Sequence, residues 1–289
     1  METIRFRKSS IAVKLIIIVF TALFIFNSFV CLFPIYFSGV NALKSAEEYF
    51  ASSVAFPKVF QFENFAKVFT IFAVRGSHYF DMLINSLWIL AVNVFVNALS
   101  SVLLAYALAK FRFPGNEFLY TLVIFAQTIP IIGTGAAGFK LRMQLNMIDN
   151  PLLIWLGWAG AFDFQFMVLY GTFKGISNTY SEAASIDGAS ELFILFRIVL
   201  PQAFPSIVAI CITAAIGVWN NYSISMIQLR SYPTLAYGMY LFQKESYYIE
   251  DSQPVYFACA LISCIPVVVL YACNQKLILT NMTAGGLKG

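Results

Sequence analysis

Six long apolar stretches dominate the sequence and restrict its fold more than any other feature. Each reaches the roughly 20 residues that an α-helix needs to cross the hydrocarbon core of a membrane. Only 11% of the residues are charged, whereas a soluble domain has about 25%. The sequence also lacks the short alternating segments of membrane β-barrels, so we predict an all-α integral membrane protein with six transmembrane helices. The stretches cover residues 11–37, 82–109, 117–139, 151–173, 204–228 and 254–275.

The basic residues between these stretches orient the predicted helices in the membrane. With the N-terminus inside, ten of the 18 lysines and arginines lie on the inner side and eight on the outer side. Four of those eight lie in the long loop 38–81, where the positive-inside rule is weak because most of the loop is far from a helix end. We therefore predict a multi-pass protein of the plasma membrane with both termini in the cytoplasm.

The first apolar stretch follows a basic start, as the core of a signal peptide would. It is much longer than the roughly 7–15 apolar residues of such a core, and no clear small-residue cleavage site follows it. We predict that it is retained as the first transmembrane helix. The chain then divides into an N-terminal segment, residues 1–81, with this helix and an extracytoplasmic loop, and a transmembrane core, residues 82–289.

Several functional classes lack their signatures in this sequence. No GxxxxGK[ST] phosphate loop occurs, so the chain has no recognised ATP site of its own. The single histidine, His78, lies in a predicted loop, and the five cysteines form no CxxC pair. The sequence therefore predicts no catalytic residues and no metal site. The basic residues behind the net charge of +4 are scattered, which argues against nucleic acid as a partner.

The predicted inner segment between the fourth and fifth stretches contains a run of small residues. Residues 182–201 read EAASIDGASELFILFRIVLP. A helix can begin at Glu182 with Ser181 as its N-cap, and Gly188 can end it, because glycine costs about 1 kcal/mol inside a helix. The small residues give this helix a thin face that another surface can approach closely, although such a helix is more often a simple connector. They are Ala183, Ala184, Ala189 and Ser190.

The spacing of this run matches a family signature at every fixed position. The pattern is Glu-Ala-Ala, three residues, Gly188, nine residues, Ile198, one residue and Leu-Pro. The segment thereby resembles the EAA loop of the permeases of binding-protein-dependent ABC importers. The resemblance implies that the loop, about residues 181–201, forms a cytoplasmic coupling helix that sits in a cleft on an ATPase subunit. The residues assigned to this coupling contact are Glu182, Ala183, Ala184, Asp187, Gly188 and Ala189.

From about residue 56 to the end, the chain resembles one branch of that family, the MalG-like permeases of carbohydrate importers. Three departures from the branch bear on the substrate rather than on the class. After Ile129-Pro130 the branch usually has a plainer aliphatic run, whereas this chain has Gly133, Gly135 and Gly138. Asp163 stands where the branch usually has a small or apolar residue, and Asn221 stands where it usually has an acidic or small one. The similar segments include AYALAKFRFPG at 105–115, IDGAS at 186–190, the pair Trp219-Asn220 and the tail TAGGLKG at 283–289.

The resemblance implies a type I ABC importer permease fold and a set of partners. These are a second homologous, MalF-like permease, two ATPase subunits, an extracytoplasmic solute-binding protein and a carbohydrate, either a di- or an oligosaccharide. It implies no cofactor bound by this chain, since ATP and Mg²⁺ bind in the ATPase subunits. The alternatives are a permease of a non-sugar ABC importer, an ion-coupled secondary transporter and a membrane enzyme or scaffold. The EAA pattern argues against the last two.

Polar residues inside the apolar stretches are candidates for the substrate path, because each is costly to place in a membrane. Amides, carboxylates and aromatic rings are the groups that bind sugars, and the turn at 219–222 offers such a mixture. The alternative is that amides hold helices together at about 0.6–2 kcal/mol each, and we favour this for Asn93 and Asn97. The substrate-path candidates are Asp163, Trp219, Asn220, Asn221 and Tyr222, and Gln127 and Gln165 are further polar residues at this depth.

Overall fold

A computed structural model describes residues 11–129, 135–160, 162–245 and 252–284. The described chain is almost entirely helical, with a short antiparallel pair of strands, β1 (Ala73–Val74) and β2 (Ser77–His78). The α-helices are α1 (Ile11–Ala42), α2 (Ala46–Ala51), α3 (Glu63–Ile71), α4 (Tyr79–Lys110), α5 (Asn116–Thr128), α6 (Gly135–Gln144), α7 (Phe164–Gly175), α8 (Thr179–Ile186), α9 (Glu191–Ile194), α10 (Leu200–Trp219), α11 (Leu235–Glu245) and α12 (Ser252–Ala284). A 3₁₀ turn (Ile154–Gly157) and two π-helical turns (Leu195–Val199 and Ile224–Gln228) complete the order.

Four helices among the described residues are long and apolar enough to cross a membrane. They correspond to the first, second, fifth and sixth apolar stretches, and they identify the chain as an integral membrane protein. Their bounds are Val13–Ala42, Tyr79–Lys110, Glu191–Trp219 and Ser252–Gln275.

The third and fourth apolar stretches do not form single long helices, which differs from the sequence prediction. In the third, α5 has 13 residues and ends at Thr128, next to Ile129, whose position before Pro130 disfavours helical backbone. In the fourth, α7 has 12 residues and begins after Asp163, which caps it. An N-cap residue has extended backbone, so a helix cannot continue through it.

The chain forms two compact units, Met1–Phe72 with Gln243–Ile262 and Ala73–Phe242 with Ser263–Gly289. The division into 1–81 and 82–289 that the sequence suggested stays a prediction. The tail motif at 283–289 lies mostly outside the described residues, as do Arg5, Arg7 and Lys8.

The core of the second unit is formed by α4, α7 and α10. Phe166 and Phe173 of α7 are fully buried, and they pack with Ala105 of α4 and Ala203 of α10 in one apolar cluster. Burying a phenylalanine side chain contributes about 1.5–3 kcal/mol. This three-helix core therefore fixes the relative positions of the two ends of α7 and α10.

The first unit contains a buried lysine just after α1. Lys44 is only 1% exposed, and its Nζ donates to Asn41 Oδ1 at 2.9 Å and to the carbonyl oxygens of Ser52 and Ser53 at 2.9 and 3.0 Å. Burial lowers the pKa of Lys44, and Glu48 partly opposes this effect. The lysine joins the end of α1 to the chain beyond α2, and it orders part of the predicted outer loop.

Candidate functional site

The second unit contains a cavity of about 290 Å³ between the middle of α4, the start of α7 and the end of α10. Its volume is near the lower end of the roughly 300–1,000 Å³ of small-molecule sites. Four of its polar residues were identified in the sequence as polar positions inside apolar stretches. Trp158 and Gln228, which lie outside regular α-helix, were not. The polar and aromatic residues of the lining are Asn93, Asn97, Trp158, Gln165, Asn221 and Gln228.

Asn97 is held by two hydrogen bonds across helices. Its Nδ2 donates to the carbonyl oxygen of Gly160 at 3.3 Å and to Asp163 Oδ2 at 3.2 Å. Its Oδ1 is buried and has no hydrogen-bond partner among the described residues. A buried amide oxygen without a partner costs about 1–3 kcal/mol, so this residue of the cavity wall contains an unsatisfied acceptor.

Asp163 connects three helices rather than lining the cavity directly. Its Oδ1 caps α7 by accepting from the Phe166 N–H at 3.1 Å, and it accepts from Ser101 Oγ of α4 at 3.4 Å. Gln127 Nε2 of α5 donates to its backbone oxygen at 3.0 Å. These contacts explain how an ionisable residue is accommodated here, and they place its carboxylate one hydrogen bond behind Asn97.

The rest of the lining supplies further acceptors and donors. Gln165 Oε1 is a second buried oxygen without a partner in the described part of the chain. Trp158 Nε1 donates to Gln228 Oε1 at 3.3 Å, which leaves the Gln228 amide nitrogen as a donor. Amides around an aromatic ring suit a ligand with many hydroxyl groups, because each hydroxyl both donates and accepts.

The turn at the end of α10 contributes only Asn221 to the cavity. Trp219 is buried and its Nε1 donates to the Ser263 oxygen at 3.2 Å. Asn220 is exposed and its side chain donates to the Ile216 oxygen, while Tyr222 stacks on Tyr240 with 4.6 Å between ring centroids. These candidates diverge because α10 ends at Trp219 and the chain then turns.

The EAA segment, about residues 181–201, begins in α8 and continues through the turn at Gly188, α9 and a π-helical turn to the start of α10. Helix α8 begins at Thr179, earlier than the Ser181 cap expected from the sequence, because the Glu182 N–H already donates to the Asn178 oxygen at 2.9 Å. Asp187 is its C-cap, and Gly188 has a φ of +80°, in the left-handed region that favours glycine.

The two faces of the EAA segment differ. Ala184 and Ala189 pack against the core, and their backbones are joined by a hydrogen bond of 2.9 Å from the Ala189 N–H to the Ala184 oxygen. Glu182, Ala183, Asp187 and Gly188 lie on the opposite face of the segment, where all four are exposed.

Large apolar side chains lie exposed beside these residues. Ile186 is 87% exposed and Leu192 68%, and Tyr180 and Phe193 are also exposed. An exposed apolar group of this size, rimmed by polar residues, is typical of a surface that contacts another protein.

The cavity and the EAA segment lie at opposite ends of the same two helices. Gln165 is at the start of α7 and Asn221 follows the end of α10, whereas the EAA segment connects the end of α7 to the start of α10. The 20 residues of α10 span about 30 Å at 1.5 Å per residue. Lys110 anchors the entry to the EAA segment, since its Nζ donates to the Ile176 oxygen and to Asn178 Oδ1.

Comparison with known proteins gives a consistent result. The family described as binding-protein-dependent transport system inner membrane component matches residues 101–281. The diacetylchitobiose uptake system permease protein NgcG of Streptomyces coelicolor is 28% identical over 91% of this chain and 86% of its own. The arabinooligosaccharides transport system permease protein AraQ of Bacillus subtilis is 27% identical over 94% and 96%.

Two solved structures share the fold. One is a chain of a bacterial ABC transporter involved in the import of the acidic polysaccharide alginate, with a TM-score of 0.79 and 24% identity over 93% of this chain and 99% of that one. The other belongs to the MetNI methionine ABC transporter in an inward-facing conformation, with a TM-score of 0.51 and 16% identity over 76% and 99%.

Proposed function

Because the chain belongs to the family of binding-protein-dependent transport system inner membrane components, we propose that it is one permease subunit of an ABC importer for a di- or oligosaccharide. The family match, which includes the whole EAA segment, is the observation that carries this proposal. The choice of carbohydrate is supported by the relatives, whose names give diacetylchitobiose, arabinooligosaccharides and galactooligosaccharides as their substrates.

The proposed importer contains further chains. A second, MalF-like permease pairs with this one, two ATPase subunits bind ATP and Mg²⁺, and an extracytoplasmic binding protein delivers the sugar. Solved relatives of the fold include an alginate ABC transporter in complex with a periplasmic protein bound to an alginate pentasaccharide. This chain itself holds no cofactor, in keeping with the absence of a phosphate loop from its sequence.

In the membrane, the chain crosses six times with both termini in the cytoplasm. Four crossings are the long helices, and the other two run through α5 and α7 with the neighbouring residues of the third and fourth apolar stretches. Interrupted helices are a common way to build a substrate site inside a membrane protein. In this arrangement α8 faces the cytoplasm and the cavity lies toward the outer side.

The two sites then have separate roles. The residues assigned to ATPase coupling are Glu182, Ala183, Ala184, Asp187, Gly188 and Ala189. The exposed members of this set contact an ATPase subunit, whereas Ala184 and Ala189 hold the segment against the core. The exposed Ile186 adds apolar area to the contact. Closure of the ATPase dimer moves this contact, and the core of α4, α7 and α10 carries the movement to the cavity about 30 Å away. The amides of the cavity bind hydroxyl groups of the sugar as the spans alternate access.

The first test is purification of the tagged chain from its own membranes in a mild detergent, with mass spectrometry of the proteins that accompany it. We expect a second permease of similar size and a P-loop ATPase. Reconstitution of that complex with the binding protein should give ATP-dependent saccharide uptake. The proposal is overturned if the chain is isolated alone and moves a solute into liposomes without ATP.

A further inference from the structure

The orientation of the Asn97 side chain is fixed by its surroundings. Its amide group faces the Gly160 oxygen and an oxygen of Asp163, both of which only accept hydrogen bonds. Rotating the amide by 180° would bring its oxygen against these two acceptors. The NH₂ group must therefore face Asp163, and Oδ1 must be the atom that is left without a hydrogen-bond partner in the described part of the chain.

The electrostatic character of the cavity follows from the same contacts. Among the described residues that line it, none is Lys, Arg, Asp or Glu. Two unpartnered, buried acceptor oxygens, Asn97 Oδ1 and Gln165 Oε1, belong to residues that line the cavity, and the carboxylate of Asp163 lies one hydrogen bond behind Asn97. A carboxylated ligand would bring a second negative charge to this place with no cation in the lining to offset it, whereas an uncharged ligand would bring none.

The fold itself does not require a cavity of negative potential, since a chain of the same fold belongs to a transporter for the acidic polysaccharide alginate. Charge preference must therefore depend on local residues. Resting on the proposed function, we infer that the cavity selects uncharged, hydroxyl-rich saccharides over carboxylated ones. Asp163 is the positioning residue for this preference, because it supplies the negative charge and orients Asn97.

Thiol labelling measures this preference even while the transported sugar is unidentified. The five cysteines (Cys31, Cys211, Cys259, Cys264 and Cys273) are replaced by Ala or Ser, and Asn221→Cys places a thiol at the cavity of the intact importer. The rates of reaction with the cationic trimethylammonioethyl and the anionic sulfonatoethyl methanethiosulfonate are compared. We expect the ratio of the cationic to the anionic labelling rate to be about tenfold higher at this cysteine than on a free thiol, because a nearby negative charge attracts the cationic reagent.

The substitution Asp163→Asn isolates the charge from the helix cap. Asparagine caps a helix as well as aspartate does, so α7 should remain while the carboxylate is lost and the Asn97 amide is released. We expect the cationic preference to fall several-fold toward that of a free thiol. Glu117→Gln, which removes an exposed carboxylate from the first turn of α5, is the matched control and should leave the ratio unchanged.

The outcomes separate this inference from the proposed function. The inference is overturned if the rate ratio at Asn221→Cys equals that on a free thiol, or if Asp163→Asn leaves the ratio unchanged at a normal protein level. Either result counts even if saccharide uptake is robust. The expected ratios in a complex that imports no saccharide would support the charge preference and remove the proposed function. The test assumes that asparagine keeps the helix cap and removes only the charge. A fall in protein level with Asp163→Ala, but not with Asp163→Asn, would support this assumption.

Discussion

The two ends of the α7–α10 pair are built on opposite principles. At the cavity end, side chains bind one another across helices, as Asn97 and Asp163 do, and the polar atoms face inward. At the EAA end, the backbone makes the turn at Gly188, and Ile186 and Asp187 beside it are exposed. The cavity therefore depends on side-chain orientation, whereas the EAA segment depends on backbone shape and exposure. Substitutions at the two ends should fail in different ways.

The largest effect is expected at the EAA end from Glu182→Lys. Glu182 is exposed and lies in the first turn of α8, so the free energy of unfolding should change by no more than about 0.5–1 kcal/mol. Reversing a charge at a docking surface costs several kcal/mol, so ATP-dependent uptake should fall by about 100-fold or more. Uptake, membrane level and co-purification of the ATPase are measured together.

Gly188→Asp should produce the same loss of uptake, and labelling of Asn221→Cys at the cavity should be unaffected in both variants. Normal uptake by Glu182→Lys and Gly188→Asp would show that the EAA segment does not couple ATP hydrolysis to transport, and the two ends would then not differ in function as proposed.

The next effect is expected at the cavity end from Asn97→Ala. Loss of the acceptor, and of the hydrogen bond that it donates to Asp163, should lower uptake about tenfold, since such a bond contributes roughly 0.5–1.5 kcal/mol and more when a charge is involved. The ATPase should still co-purify. Ser100→Ala is the matched control, because Ser100 lies on the same helix and also donates to the Gly160 oxygen at 3.4 Å. Equal losses from both would show that helix packing, and not the cavity, is responsible.

Trp219→Phe tests whether the end of α10 is structural. The variant leaves the Ser263 oxygen without the indole donor that it now has, and this should lower the free energy of unfolding by about 1–2 kcal/mol. Uptake per folded molecule should not change. Thermal unfolding in detergent and uptake normalised to protein level are the measurements. A selective loss of uptake would return Trp219 to the substrate path.

The smallest effect is expected from Gly188→Ala. A Cβ at this position meets nothing within 4 Å, so the cost is only that of the positive φ, about 1 kcal/mol. Stability should fall slightly and uptake should be retained. A severe loss of uptake at near-normal stability would mean that a partner surface approaches the glycine too closely for one methyl group. It would thus sharpen the description of the EAA end.

Local sequence patterns predicted the end of α8 at Gly188, because this turn depends on one glycine and a few neighbouring residues. The cavity end was less predictable. Asp163 and Asn97 are 66 residues apart, and Trp158 and Gln228 are 70 apart, so composition alone could not show that they meet. The hydropathy of the stretch 151–173 likewise gave no sign that Asp163 ends one segment and begins a helix.

The capping role of residue 163 also affects how such a chain can evolve. Aspartate and asparagine codons differ by a single base, and both residues cap a helix equally well. A point mutation can therefore exchange a carboxylate for an amide beside the cavity while α7 and its packing persist. The inferred preference for cargo charge could then change in one genetic step, without any change in the EAA segment.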